Sequence, residues 1–288
     1  MYILLINMDP SLMCDDYSFR PRMDTRLQTG ERGTSVRKMY TKEIVLAKDV
    51  CLDDHAKIRT IPRYSLYFSP ILKCEHIQAN TGRLIVSREK TTSLLEFFYE
   101  KKQNDVLSYV VSSLRRLLLS FELLTAHDII YTNYTSIAFN SWSVPVLYDF
   151  GGKPVMPYYI PIELFMLESL KQEETYSPSR ENIQSLCERY FKLIDTDVSD
   201  QSVRECVEFL TPIINKPLSD VVDHLNTYKH KWYIYGLGRV YLRLLGALDI
   251  VEMPAFLPDL LTRCVSVSPT QRPTVAEMIT GLDTDRMI

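Results

Sequence analysis

Apolar and polar residues follow two different rhythms along this chain. Between about residues 24 and 90, short β-type runs such as EIVLAKDV, RYSLYFSPIL and GRLIVSRE are broken by turn residues, which predicts a strand-rich first part. From Leu94 onward the period lengthens. DVLSYVVSSLRRLLLSFELLTAHD places apolar residues three and four apart with Arg115 and Arg116 on the other face, which predicts a mostly buried helix. SRENIQSLCERYFKLID, VRECVEFLTPII, YIYGLGRVYLRLLGAL and FLPDLLTRCVSV continue the helical pattern. The opening MYILLIN is short and lacks a basic flank, and it soon meets Asp9 and Asp15, so a starting strand is expected there rather than a signal peptide. The pattern implies an α+β fold: a small sheet-rich lobe followed by a larger helical one, with no repeat or low-complexity tract.

Composition narrows the function classes. The 288 residues are 46% apolar and 24% charged, enough for one large domain or two lobes. A net charge of −3 without a basic block gives no reason to expect nucleic acid. No run of about 18 apolar residues is present, so no membrane span is expected. The six cysteines are scattered, without a CxxC or nearby histidines at ligand spacing, as in intracellular, cytoplasmic proteins with reduced thiols.

The candidate chemistry lies in four stretches. VPVLYDFGGKPV, residues 144–155, ends an apolar strand at Asp149, followed by Phe150 and two glycines. It reads as an ordinary strand and turn, or as a carboxylate holding a divalent cation against phosphates. TGERGTSVRK supplies Gly30 and Gly33 in a turn between strand-like runs, and IVLAKDV follows with Lys48 at the end of an apolar strand. TGERG alone is an ordinary hairpin turn. Phosphate binding asks for such a flexible backbone cover with a lysine beneath it. Farther on, YYIPIELF places Glu163 after two prolines, and SPTQRPTVAEMI carries Arg272 before Pro273.

In this order the stretches resemble the eukaryotic-type protein kinase family from about residue 25 to residue 279. IVLAK resembles the strand that presents the ATP-orienting lysine, here Lys48, and YDFGG resembles the metal-binding DFG, here Asp149. PIE resembles the family's APE and SPTQRPTVAEM its closing helix, which makes Glu163 the expected buried partner of Arg272. YIYGLGRVYLRLL resembles the D-x-W-S-L-G helix. The resemblance implies a two-lobed fold with residues 1–24 as an extension, 25–90 as the nucleotide-covering lobe and 91–288 as the helical lobe. It also implies ATP and Mg²⁺ as cofactors and phosphoryl transfer to a Ser/Thr hydroxyl of a protein substrate.

The catalytic loop departs from the family, and two registers fit it. In the first, Asp128 is the base and Asn133 a second metal ligand; the step from Asn133 to Asp149, 16 residues, is then longer than usual. In the second, Y-T-N replaces H-R-D, so Asn133 stands at the base position and Ser136 where the metal-binding asparagine belongs. An amide cannot accept the substrate proton, so this register implies a pseudokinase acting as a binding module. The bland reading of Asp128 is a solvated residue at a helix end. Tyr233 occupies the place of the aspartate that anchors the catalytic loop, and only 14 residues separate Asp149 from Glu163, a short activation segment. The 70 residues from Glu163 to Tyr233 imply inserted helices over about residues 165–230. No acidic partner for Lys48 stands out, since Asp53 and Asp54 lie too close in sequence and Glu75 too far. These departures resemble the kinase-like proteins of large DNA viruses. A small-molecule phosphotransferase of related fold is the third reading, disfavoured by Glu163 and Arg272.

Overall fold

A computed structural model describes residues 18–19, 34–37, 44–51, 58, 60–61, 68, 71–78, 81–88, 92–100, 103–129, 131, 134, 137–140, 142–147, 157–173, 176–194, 199–248 and 253–284, with residues 18–51 and 71–88 as backbone only. The expected first strand MYILLIN lies outside these residues. The fold is mixed α/β and mostly helical. The chain divides into two compact units, one of residues 1–100 and 135–152, the other of residues 101–134 and 153–288. Residues 135–152 thus group with the sheet-rich part, whereas the sequence pattern assigned everything after residue 90 to the helical part.

The first unit holds a five-stranded sheet built from β1 (Ser18–Phe19), β2 (Thr34–Arg37), β3 (Ile44–Cys51), β4 (Ile71–Gln78) and β5 (Thr81–Arg88), in the order β1-β2-β3-β5-β4. β-branched residues in IVLAKDVC and TGRLIVSR suit a pleated ladder. β3 runs antiparallel to both neighbours, pairing Thr34 with Ala47 on one side and Lys48 with Leu84 on the other. A second sheet joins β6 (Thr92–Ser93), β7 (Ile137–Phe139) and β8 (Pro145–Leu147). The pairing of Thr92 with Phe139 explains why residues 135–152 return to this unit. β6 runs straight into α1 (Leu94–Tyr99), whose start is fixed by a capping box: the Glu96 N–H donates to Ser93 Oγ, and the Ser93 N–H donates to Glu96 Oε2 at 3.1 Å. The helix buries Phe97 and Phe98; Phe97 lies flat on Phe139, 3.6 Å between ring centroids.

The second unit is helical. Its members are α2 (Gln103–Ala126), α3 (Ile162–Gln172), α4 (Arg180–Ile194), α5 (Asp200–Leu210), α6 (Leu218–Asn226), α7 (Lys229–Ala247), α8 (Phe256–Cys264) and α9 (Val275–Thr284). Twelve of the 19 residues of α7 are buried, on every side of the helix, which makes it the centre of this unit. Gly238 permits that packing: a Cβ there would stand 2.6 Å from the Cβ of Cys264 on α8. α3 to α6 carry a contiguous core that includes Met166, Leu170, Ile183, Leu210 and Val221. Among the described residues, no helix is long and apolar enough to cross a membrane.

Candidate functional site

Asp128 belongs to the cap that ends α2. After Ala126 the chain stops with a Schellman cap: the Asp128 N–H donates to the Thr125 carbonyl at 3.0 Å and the Ile129 N–H reaches back to the Leu124 carbonyl at 2.9 Å. Asp128 supplies the left-handed residue this motif requires, at φ 56°, while Ile129 and Leu124 are buried as the accompanying apolar contact. Its carboxylate is 69% exposed and forms an ion pair with Lys229 at the start of α7. A cavity of about 20 Å³, room for one water, lies beside them against Phe121, Ile129 and Trp232.

Just beyond, aromatic side chains take over the anchoring. Tyr233, at the place expected of a loop-anchoring aspartate, stacks on Phe121 with ring centroids 5.6 Å apart and planes within 9°. Phe121 also meets Tyr131 edge-on and stacks on Tyr134. Tyr134 fills a notch that only glycine leaves open, since a Cβ at Gly236 would lie 2.0 Å from its ring. Burial raises the pKa of both Tyr134 and Tyr233, so they remain neutral hydroxyls and supply no base at ordinary pH. Asn133 lies outside the described residues.

In the first unit, the β7–β8 hairpin bears on the register question. Ile137 pairs with Leu147, so the hairpin begins one residue after Ser136 and ends two residues before Asp149. The Asn140 side chain holds the turn by accepting from the N–H groups of Trp142 and Val144, both at 3.0 Å, with Ser143 at φ 59°. Asp149, Phe150, Gly30 and Gly33 lie outside the described residues. Lys48 is described as backbone on β3, the middle strand of its sheet, and β2, which directly follows Gly33, begins opposite Ala47.

The structure does form the expected pair of Glu163 and Arg272. Glu163, on the first turn of α3, accepts from Arg272 Nη1 at 2.8 Å and Nη2 at 2.9 Å, and both side chains are fully buried. Arg272 also donates to the carbonyls of Ser266 and Val267, and its guanidinium lies over the Tyr235 ring at 5.0 Å. Lys231 donates to the Arg272 carbonyl at 2.7 Å; burial lowers its pKa. The Tyr235 hydroxyl accepts from Arg239 and lies 2.8 Å from that of Tyr190, which donates to the Ile160 carbonyl. Lys231, Tyr190 and Tyr235 carried no sequence signal beyond their place in apolar helical stretches.

Among the described residues, no group of three or more His, Cys, Asp or Glu side chains is placed to hold a metal. Neither a protein-family model nor a curated protein matches the chain.

Proposed function

We propose that this chain is a protein-kinase-like protein with a degenerate catalytic loop, a pseudokinase that holds Mg-ATP and serves as a binding module for a protein partner. The observation that carries this reading is the cap at the end of α2. Asp128, the only carboxylate in H-D-I-I-Y-T-N, is explained by its left-handed backbone and its exposed pairing with Lys229, which supports the register with Asn133 at the base position. The hairpin is consistent with that register, because it begins one residue after Ser136 in sequence and ends two residues before Asp149. An amide there cannot take the proton of a substrate hydroxyl.

Nucleotide binding rests on other residues. A lysine on the middle strand of a sheet, beside a strand that Gly33 directly precedes in sequence, has the chemistry that phosphates need, and a carboxylate two residues past a hairpin in sequence has that of a magnesium ligand. Lys48 would orient the phosphates, Gly30 and Gly33 would let the backbone cover them, and Asp149 would hold Mg²⁺, whose chemistry is to neutralise phosphate charge. Glu163 and Arg272 support the protein-kinase branch over a small-molecule phosphotransferase. For the partner, a groove of about 570 Å³ between α4 and α5 is walled by Arg180, Lys192 and Arg204 together with Glu188, Asp200 and Glu208.

A thermal-shift and transfer experiment tests the reading. Saturating Mg-ATP should raise the melting temperature of the wild type, by the equivalent of about 2.7 kcal/mol at a hundred times Kd, and Lys48→Ala should lose the shift. Transfer from radiolabelled ATP to a generic basic protein should be absent. Transfer that Asp128→Asn abolishes would instead make the chain a Ser/Thr protein kinase with Asp128 as its base, and no thermal shift would remove nucleotide binding.

A further inference from the structure

α4 and α5 lie against each other in the inserted segment, and at their contact the thiols of Cys187 and Cys206 stand 3.1 Å apart, both fully buried. The sequence gives no hint of this, because 19 residues separate the two and neither belongs to a CxxC motif. A disulfide requires the sulfurs to close to about 2.05 Å, an approach of about 1 Å that side-chain rotation and small helix shifts supply. A hydrogen bond joins the two thiols, and this contact together with burial raises the Cys206 pKa.

We propose that Cys187 and Cys206 form an oxidisable dithiol, closed to a disulfide by a low-molecular-weight disulfide such as oxidised glutathione, and that the bond fastens α4 to α5. In the first step, one thiolate attacks a glutathione sulfur; the protein–glutathione bond forms as the glutathione S–S bond breaks, releasing one glutathione thiolate. In the second, the other protein thiolate attacks the protein sulfur of that mixed disulfide and expels the second glutathione. Two protein thiols lose two protons and two electrons, and one glutathione disulfide becomes two glutathione thiols. Because both sulfurs are enclosed, exchange waits on local opening of the helix pair, and it speeds up as pH rises toward thiol ionisation. A reducing compartment keeps the pair open. Oxidation would close the loop from Cys187 through the α4–α5 connection to Cys206 and so tie together the two helices whose other residues wall the groove.

The test uses the full-length wild type, incubated folded with oxidised glutathione, quenched in acid, unfolded and labelled with maleimide. The expected result is two fewer labels, a tryptic species linking the Cys187 and Cys206 peptides, no glutathione retained at either position, and reversal by dithiothreitol. The melting temperature should rise by roughly 5–10 °C, as a closed loop of this size predicts. Cys187→Ser and, independently, Cys206→Ala should each abolish the linked species and the rise. Full labelling of both cysteines after oxidation, or glutathione persisting on either one without a link, would overturn the proposal. The wild-type mass result decides it even where a variant fails to fold.

Discussion

Replacing Arg272 by alanine should be among the most damaging single changes in this chain. The side chain is fully enclosed and makes four hydrogen bonds: two to Glu163 and one each to the carbonyls of Ser266 and Val267. Truncation leaves the Glu163 carboxylate charged in a site without water. Breaking a buried pair this way costs about 3–5 kcal/mol, because the remaining ion keeps its desolvation penalty and loses its partner. A protein of this size is stable by about 5–15 kcal/mol, so roughly a fifth or more of the total goes with one residue. With a urea slope of about 2 kcal/mol per molar, the unfolding midpoint should fall by roughly 1.5–2.5 M. Tryptophan emission is a suitable probe, since Trp232 is buried on α7 in the same unit. A double-mutant cycle isolates the charge effect. Glu163→Met with Arg272→Met leaves neither charge of the pair behind, so the double variant should lie well above the sum of the single losses, short of wild type because the Ser266 and Val267 carbonyls lose their donor. An unchanged midpoint in Arg272→Ala, or a double variant as damaged as the two single losses together, would refute this account of the pair.

Three other outcomes follow from the geometry. Asp128→Gly should leave stability unchanged or raise it by up to about 1 kcal/mol, since glycine suits φ 56° and the exposed pair with Lys229 contributes little; a lowered melting temperature would contradict the cap. Gly236→Ala should cost about 1–3 kcal/mol by driving a methyl into the Tyr134 ring, and adding Tyr134→Ala should cost less than the separate losses summed; full additivity in the melts would show that the two do not touch. Burial raises the pKa of Tyr134, Tyr159, Tyr190, Tyr233 and Tyr241 above 10.0, their unfolded value, so their contribution is fully present below pH 10 and is lost as pH climbs through the folded values. Urea midpoints should therefore hold to about pH 9 and drop beyond 10, and a flat profile to pH 11 would show that the rings are not enclosed.

Long periodic segments were legible in the sequence, because a helix that buries one face must repeat apolar residues at its own period; α2, α4 and α7 appear where that rhythm lies. The start of α1 at Leu94 was legible because the apolar period lengthens there; the Ser93–Glu96 capping box that fixes it is seen in the structure. Glu163 and Arg272, 109 residues apart, could be paired only through a motif resemblance, since nothing local marks two distant charges as partners. The return of residues 135–152 to the first unit was not legible, because β7 and β8 are three residues each, too short to show an alternation. Nor was the Cys187–Cys206 contact, which depends on how two helices are rotated about their axes. Asp128 stood open in the sequence between a base and a residue at a helix end; the structure gives it a backbone role in the cap, with an aspartate where glycine is usual.

Stability and chemistry are separable in this molecule, and that governs what each preserved feature can say about function. The Glu163–Arg272 pair holds α3 to the segment before α9 and is sealed from solvent, so its presence speaks for the fold of the helical unit and not for turnover. The same holds for Tyr233 and Tyr134. They pack against α2 and α7 by stacking on Phe121 and filling the Gly236 notch, with hydroxyls that stay neutral and so accept no substrate proton. A loop anchored by apolar packing keeps its position while its polar residues change, which is the condition under which a catalytic loop can lose its base without the protein losing its fold. Evidence about activity therefore has to come from the residues that the proposed function assigns to the reacting atoms, above all Asn133 and Asp149, and a variant that disturbs only the aromatic anchor should lower melting temperature and say nothing about turnover.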